Sequence, residues 1–213
     1  MLPGERQSFH YHSINGRRFY DWLKYARSYR GSEQMKKQKP TYDGLEFDSN
    51  EEIEFYMWLQ EAKEHGLIYP FPIYQPKPYK LSPKHTRTEL KQLKTKTKKI
   101  EKHLLHPHIY TADFRFSLTK QGLEMKLPFI NGYISKAYIV VDIKGAFNQY
   151  GGDREFSINQ KWVYNMFGDY INKVVPEKLF KSTWCPQAAR LTEKTKKVKA
   201  KYASCKTIEE FLK

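Results

Sequence analysis

The sequence has few cysteines, no long apolar run and far fewer acidic than basic residues. Cys185 and Cys205 are the only cysteines among 213 residues, too few for a disulfide framework or a four-cysteine zinc site. No run approaches the ~18 apolar residues of a membrane span. The opening MLPGERQSFHYHS has no apolar stretch of the kind found in secretory signals. We therefore expect a cytoplasmic protein with no membrane partner.

The charge balance points to a polyanion. Lysine and arginine number 38 against 23 aspartate and glutamate residues, a net charge of +15. The excess lies in three runs, 17–39, 84–102 and 190–206. Each run alone is explained equally well as a solvated surface, but three in one chain favour a surface that binds phosphates. Nucleic acid is the first candidate and an anionic membrane surface is the weaker alternative; no small-molecule substrate is expected. The residues predicted to contact its phosphates are Arg87, Lys91, Lys94, Lys96, Lys98, Lys99, Lys161, Lys194, Lys196, Lys197 and Lys199.

Hydrophobic periodicity predicts a mixed α/β order. A helix should begin after Asp48 or Ser49 and end at Gly66. The remaining predicted elements are a loop or helix in the basic insertion 84–104, strands Ile109–Leu118 and Tyr138–Lys144, a helix Ile158–Asn172 and a last strand 179–185. The predicted boundaries are a basic N-terminal extension 1–41, a core 42–185 and a basic C-terminal tail 186–213.

Two acidic side chains lie at positions where a charged group needs a structural or functional explanation. Glu52 falls on the apolar face of the first predicted helix, where a carboxylate is costly unless it is paired or binds a metal. The alternative is that Glu52 only complements the helix dipole. Asp113 points away from Ala112, Phe114 and the other apolar residues that alternate along its strand. An exposed strand face is the alternative there.

Two further pairs adjoin the most apolar strand. Asp142 and Lys144 are two residues apart and should project to the same side of that strand. Charged residues at such a position are unusual unless paired, so a purely structural ion pair is the alternative. Gln160 and Tyr164 share one face of the following helix, which an ordinary amphipathic helix also explains.

These residues together make a chemically coherent set. Three carboxylates and one amine provide the hard oxygen ligands that suit Mg²⁺ or Mn²⁺. Such an ion polarises a phosphoryl oxygen and lowers the pKa of a bound water. A neighbouring lysine can position that water and offset charge that develops on the phosphoryl oxygens. The set therefore predicts hydrolysis of a phosphodiester, with the basic runs holding the polyanion.

The pattern Glu52 … Thr-Ala-Asp113-Phe … Asp142-Ile-Lys144-Gly resembles the PD-(D/E)XK nuclease superfamily. The stretch Tyr-Asp-Gly-Leu-Glu-Phe-Asp-Ser-Asn-Glu-Glu that ends at Glu52 resembles its small phage and prophage endonucleases. The resemblance covers about residues 42–168. This chain has Ala112 where the family often has proline, and Asp142 where glutamate is usual.

The resemblance implies a fold and a set of roles. The expected fold is a restriction-endonuclease-like α/β core, a central mixed sheet flanked by helices, with basic extensions at both termini. Glu52, Asp113 and Asp142, with the carbonyl of Ile143, would hold Mg²⁺ or Mn²⁺. Lys144 would position the attacking water, and Gln160 would orient Lys144 or contact a phosphate. Glu51 remains an alternative to Glu52.

The implied activity is that of a metal-dependent DNA endonuclease. Family habit favours a structure-selective enzyme that acts on branched intermediates, like a Holliday-junction resolvase. A homodimer is implied because cutting two strands takes two sites, and a phage-encoded protein would act in the bacterial cytoplasm. Two alternatives stay open: a sequence-specific or transposon-end endonuclease of the same chemistry, and a non-catalytic nucleic-acid-binding protein.

Overall fold

A computed structural model describes residues 38–125, 127, 138–145, 152–192 and 194–213. The chain divides into two units, Met1–Lys39 and Pro40–Lys213, and every element named here belongs to the second. The basic run 17–39 lies almost wholly outside the described residues. The elements are β1 (Thr41–Tyr42), β2 (Leu45–Glu46), α1 (Asn50–Glu64), β3 (Ile73–Tyr74), β4 (Tyr79–Ser82), β5 (His85–Gln92), β6 (Thr97–Leu105), β7 (His108–Tyr110), β8 (Phe114–Phe116), α2 (Lys120–Glu124), β9 (Ile139–Ile143), α3 (Gly152–Phe167), β10 (Ile171–Val174), α4 (Pro176–Ser182), α5 (Gln187–Arg190), a 3₁₀ turn (Ala200–Tyr202) and α6 (Ile208–Phe211).

A four-stranded mixed sheet forms the centre of the second unit, in the order β10-β9-β8-β3. Strand β8 pairs antiparallel with β3 and with β9, whereas β9 and β10 are parallel. The parallel pair is joined through α3, as parallel strands require a crossover. All five residues of β9 are buried, which confirms the prediction from its apolar run. The predicted mixed α/β class is confirmed.

Apolar side chains cover both sides of this sheet. On one side α1 packs Phe55 against Phe114, with ring centroids 5.2 Å apart, and Trp58 against Trp184 at 4.4 Å. On the other side a smaller cluster contains Val140 of β9 and Val163 of α3. The alternation along β9 places Asp142 on the same side as Val140. Asp142 thus lies on the side of the smaller core, where the Tyr110 hydroxyl donates to it.

The basic insertion is a β-hairpin, so the prediction of a loop or helix over 84–104 was wrong. Strands β5 and β6 pair antiparallel from His85–Leu105 to Gln92–Thr97. The turn is closed by the Leu93 N–H, which donates to the Lys96 carbonyl at 2.8 Å. Nearly every side chain of the hairpin is exposed. Because neither face of the hairpin is buried, its sequence lacks the alternation of apolar and polar residues that predicts a strand.

Two other predicted strands differ from the structure. The strand Ile109–Leu118 is interrupted at Thr111–Asp113, which separates β7 from β8. Ala112 consequently joins the smaller core, while Phe114 and Phe116 join the larger one. The last strand is β10 and not 179–185, because most of that predicted segment lies in α4, which begins with Pro176 in its first turn. Proline is favoured there because an N–H in the first turn of a helix has no intrahelical acceptor, so its absence costs no hydrogen bond.

The helix predicted over Ile158–Asn172 runs instead from Gly152 to Phe167. Gly168 follows it with a φ of +68°, a left-handed conformation that suits glycine and ends helices. Asn172 belongs to β10. None of the helices in the described part of the chain is long and apolar enough to cross a membrane.

Residues 186–213 are not a tail, so the predicted boundary after residue 185 is corrected. Tyr202, Cys205 and Ile208 are buried in the larger core. The Tyr202 hydroxyl donates to Glu54 on α1 at 2.7 Å, and Lys201 pairs with the same carboxylate. The lysine-rich composition concealed these few apolar positions, which are spaced too irregularly to form a periodic pattern.

Candidate active site

The first turn of α1 positions Glu52. Ser49 is the N-cap: its hydroxyl accepts a hydrogen bond from the Glu52 N–H at 3.2 Å and donates to the Glu52 carboxylate at 2.9 Å. Glu52 is 5% exposed, which confirms its predicted place on the buried face of the helix. The second carboxylate oxygen accepts from the Tyr74 hydroxyl of β3 at 2.8 Å. Glu52 is therefore tied to the edge of the sheet as well as to the cap.

Glu51 also lies near the site. A Cβ built on Gly145 would stand 3.6 Å from Glu51 Oε1, so this carboxylate lies beside the residue that follows Lys144. Glu52 lies on the buried side of α1, and its charge contributes to raising the pKa of Asp113. The structure thus places both glutamates at the site and gives Glu52 the electrostatic contact with the strand carboxylate.

Asp113 sits in the break between β7 and β8. Its Oδ2 accepts from the Ile143 N–H at 2.5 Å, and its own N–H donates to the Val141 carbonyl at 3.1 Å. Burial and the charge of Asp142 raise the pKa of Asp113 to about 7, with a further contribution from Glu52. The Ile143 N–H and Lys144 act in the opposite direction. The ionised form of Asp113 is thus disfavoured first by burial and then by the neighbouring carboxylates.

Asp142 is the most enclosed member of the group. It is 3% exposed, and its Oδ1 accepts from the Tyr110 hydroxyl at 2.8 Å. Its Oδ2 lies 2.5 Å from Lys144 Nζ, yet this buried oxygen has no partner in hydrogen-bond geometry among the described residues. The Lys144 side chain is 31% exposed. One end of the ion pair is therefore buried and the other reaches solvent.

The structure brings together four of the predicted residues, which we call the carboxylate–lysine cluster: Glu52, Asp113, Asp142 and Lys144. Gln160 is engaged elsewhere, since its Nε2 donates to the Ile171 carbonyl at 2.6 Å and ties α3 to β10. Its predicted action on Lys144 or on a phosphate stays a prediction. Its neighbour Tyr164 is 42% exposed.

The donor set of the cluster suits a divalent cation. Its ligands are hard carboxylate oxygens, burial and the charges of Asp142 and Glu52 raise the pKa of Asp113, and Asp142 offers a buried oxygen that lacks a hydrogen bond. The arrangement is not that of a formed metal site. Across the described ranges, no group of three His, Cys, Asp or Glu side chains is placed to hold a metal ion.

The predicted phosphate-binding residues occupy three exposed regions. Six of them belong to the β5–β6 hairpin, Lys161 lies on α3, and the others follow α5. Lys196 and Lys199 line a groove of about 720 Å³ that runs past the N-terminal half of α1 and includes Glu51. The lining residues described for this groove do not include Asp113, Asp142 or Lys144. The groove therefore reaches Glu51 but does not contain the cluster.

Two tyrosines that complete the site were not predicted. Tyr110 donates to Asp142 and Tyr74 donates to Glu52, and their hydroxyls occupy oxygens of carboxylates that are nearly inaccessible. Burial and the adjacent carboxylates raise the pKa of both hydroxyls, which keeps them as donors. Tyr110 lies three residues before Asp113, but no spacing rule distinguishes it from the other tyrosines of the chain.

No family model, no curated protein and no solved structure matches this chain. The class of this protein is therefore described from its fold and its site alone. It is a mixed α/β protein with a buried carboxylate–lysine cluster at its central sheet and an exposed basic hairpin. The function is therefore inferred from the chemistry of that cluster.

Asp113→Asn is expected to stabilise the metal-free protein at high pH. The pKa of Asp113 is raised from 3.8 to about 7 in the folded state, so folding favours the protonated form. Stability is therefore lost as the pH rises from about 4 to about 8. Asparagine removes that loss, and we expect its Tm in EDTA to exceed the wild type by on the order of 5 °C at about pH 8.

The same comparison at about pH 4 should show little difference, because pH 4 is close to the unfolded-state pKa of 3.8 and most of the loss accumulates only as the pH rises from there toward 7. Differential scanning calorimetry in EDTA measures both values. A variant that is equally destabilised at the two pH values would show that the ionised Asp113 carboxylate is not disfavoured in the folded protein.

Proposed function

We propose that the protein is a divalent-metal-dependent DNA endonuclease. The observation that carries this proposal is the convergence of the carboxylate–lysine cluster from separate segments: the start of α1, the break between β7 and β8, and the end of β9. Burying Asp113 beside the charges of Asp142 and Glu52 costs stability, as its raised pKa indicates. Like charges assembled at such a cost are characteristic of functional sites, and a cation would offset them.

Within this proposal, Glu52, Asp113 and Asp142, with the carbonyl of Ile143, hold Mg²⁺ or Mn²⁺. When bound, the ion would polarise a phosphoryl oxygen and lower the pKa of a water. The Tyr74 and Tyr110 hydroxyls fix the Glu52 and Asp142 carboxylates. Lys144 is held at the cluster by Asp142 and reaches solvent with about a third of its side chain. Its ammonium is thus placed to position a water and to offset negative charge on a phosphate.

The fold supports a restriction-endonuclease-like core as part of the proposal. Helix α1 precedes antiparallel β3, β8 and β9, and α3 then leads to parallel β10. The helix supplies Glu52, and the two adjoining strands supply Asp113 and the Asp142-x-Lys144 pair. This is the distribution over helix and strands that the resemblance to PD-(D/E)XK nucleases implies.

DNA is the proposed substrate because the chain carries a net charge of +15 and exposes several groups of lysines. The groove that reaches Glu51 carries Lys196 and Lys199, and the hairpin adds further exposed lysines. Among DNA substrates we favour branched intermediates such as a four-way junction, cut by a homodimer with one cluster in each subunit. A sequence-specific or transposon-end endonuclease would share the chemistry and differ in the DNA it cuts.

One observation favours a second candidate, a non-catalytic nucleic-acid-binding protein. The described residues contain no formed three-ligand metal group, and each carboxylate of the cluster already accepts a hydrogen bond from the protein. A degenerate cluster of this kind would retain its internal bonds and bind no ion. Metal-dependent cleavage separates the two functions, whereas the salt dependence of DNA binding would be similar for both.

The test is cleavage of labelled four-way junction and linear duplex by the full-length protein in Mg²⁺, Mn²⁺ or EDTA. We expect cutting of the junction with either metal and none in EDTA. Equal cutting of both substrates would keep the nuclease and remove the structure-selective preference. Binding of both substrates without cutting of either would overturn the junction-endonuclease proposal in favour of a binding protein.

A further inference from the structure

One face of the β5–β6 hairpin concentrates positive charge. Arg87 lies opposite Lys102, and Lys91 lies opposite Lys98. Directly opposed residues of an antiparallel pair project to the same side, so these four cations share one face. Glu89 and Ile100 stand between the two pairs on that face. We call this the basic face; its four cations and one carboxylate give it three net positive charges.

The other face of the hairpin is close to neutral. Its one lysine, Lys99, is balanced by Glu101, and its remaining side chains are uncharged at neutral pH. Desolvation and the adjacent His106 and Lys84 lower the pKa of His103 on this face, so the imidazole is neutral there. The remaining members are Thr86, Thr88, Leu90, Gln92 and Thr97. Positive charge is thus concentrated on one face of the hairpin, although both faces are exposed.

The two cation pairs of the basic face differ in how they are neutralised. Glu89 pairs with Arg87 at 2.6 Å and with Lys102, and these contacts lower its pKa. No ion pair joins Lys91 or Lys98 to any other described residue. Like charges directly opposite each other destabilise a sheet. An anion placed between Lys91 and Lys98 would remove that repulsion, so the tip of the basic face is built for a negatively charged partner.

We infer that the basic face of the hairpin binds the phosphodiester backbone of double-stranded DNA. The two cation pairs are four residues apart along the strand, about 14 Å in an extended chain, which spans about four base-pair steps at 3.4 Å each. Repeated phosphates along a duplex can therefore meet both pairs at once. The inference rests on the proposed function for the choice of DNA as the polyanion. It does not depend on cleavage.

Two adjacent lysines provide a matched test. Lys98→Glu and Lys99→Glu change the net charge equally at neighbouring exposed positions, but only Lys98 lies on the basic face. The register places Lys99 on the opposite face, so the phosphate contact expected of Lys99 from the sequence is withdrawn here and kept for Lys98. The carboxylate introduced at position 98 would face Lys91 and neutralise it as well, so the hairpin should remain folded. Fluorescence anisotropy of a labelled duplex in EDTA, over a series of salt concentrations, measures the affinity of the full-length protein for DNA.

We expect Lys98→Glu to weaken DNA binding by about tenfold and to reduce the salt slope by about 1–2, because two phosphate contacts are lost. We expect Lys99→Glu to stay within about twofold of the wild type, since only the general field changes. Lys98→Gln and Lys99→Gln repeat the comparison without adding a carboxylate. Equal losses in the two members of either pair, or no loss in either, would overturn the inference.

Cleavage assays keep this result separate from the proposed function. A wild-type protein that binds through Lys98 but cuts no DNA in Mg²⁺ would overturn the endonuclease and leave the inference standing. Metal-dependent cutting together with equal affinities of the Lys98→Glu and Lys99→Glu variants would support the endonuclease and overturn the inference about the basic face.

Discussion

Lys144→Ala is expected to lower the rate of DNA cleavage by about 10²–10³-fold, the loss seen when one stabilising group is removed from a hydrolytic site. Lys144 Nζ lies 2.5 Å from the buried Asp142 carboxylate and is the ammonium of the cluster that reaches solvent. The rate falls because no other group in the cluster can carry positive charge to the phosphate. DNA affinity in EDTA should change by about twofold at most, since one phosphate contact out of many is involved.

Lys181→Ala is the matched control for this substitution. Lys181 also pairs with a carboxylate, Glu177 at 2.6 Å, but on the surface of α4. Its removal should leave cleavage unchanged, because exposed pairs contribute little to stability. Lys144→Arg restores the charge with a planar group and is expected to recover only part of the rate. Equal cleavage by Lys144→Ala and Lys181→Ala would show that Lys144 takes no part in the reaction.

Tyr202→Ala is expected to destabilise the protein by about 3–5 kcal/mol, the range for truncating a large buried aromatic side chain. Tyr202 is fully buried, and its ring lies 5.4 Å from that of Phe180. Urea unfolding followed by circular dichroism gives the change in the free energy of unfolding. The loss arises because the C-terminal residues are part of the larger core.

Tyr202→Phe separates packing from hydrogen bonding. It keeps the ring and removes only the hydroxyl that donates to Glu54, so the expected loss is about 1 kcal/mol. If Tyr202→Ala and the wild type unfolded at the same urea concentration, the segment after residue 185 would be a tail after all.

The parts of the fold that were predicted are those with a buried face. The Ser49 cap and the apolar residues of α1 fixed that helix and placed Glu52 on its buried side. The unbroken apolar run of β9 predicted a strand buried on both faces, with Asp142 at its end. In each case the burial of one element leaves a periodic pattern that does not depend on distant residues.

The parts that were missed depend on exposure or on distant contacts. The β5–β6 hairpin is held by its own backbone pairing, so its side chains show no apolar period. Tyr202 is buried by α1 and α4, which lie far from it in the sequence. Tyr110 gains its role because the chain brings it within hydrogen-bond distance of Asp142, 32 residues further on. Local sequence patterns contain none of this information.

The central claim is that the carboxylate–lysine cluster binds a divalent metal, and a calorimetric titration with Mn²⁺ tests it most directly. Asp142→Asn removes a carboxylate of the cluster, while Asp169→Asn removes one that is equally buried and also accepts from a tyrosine, Tyr79 at 2.9 Å. We predict that the wild type and Asp169→Asn bind Mn²⁺ alike and that Asp142→Asn binds at least about tenfold more weakly. No binding by the wild type, or equal binding by all three proteins, would contradict the account.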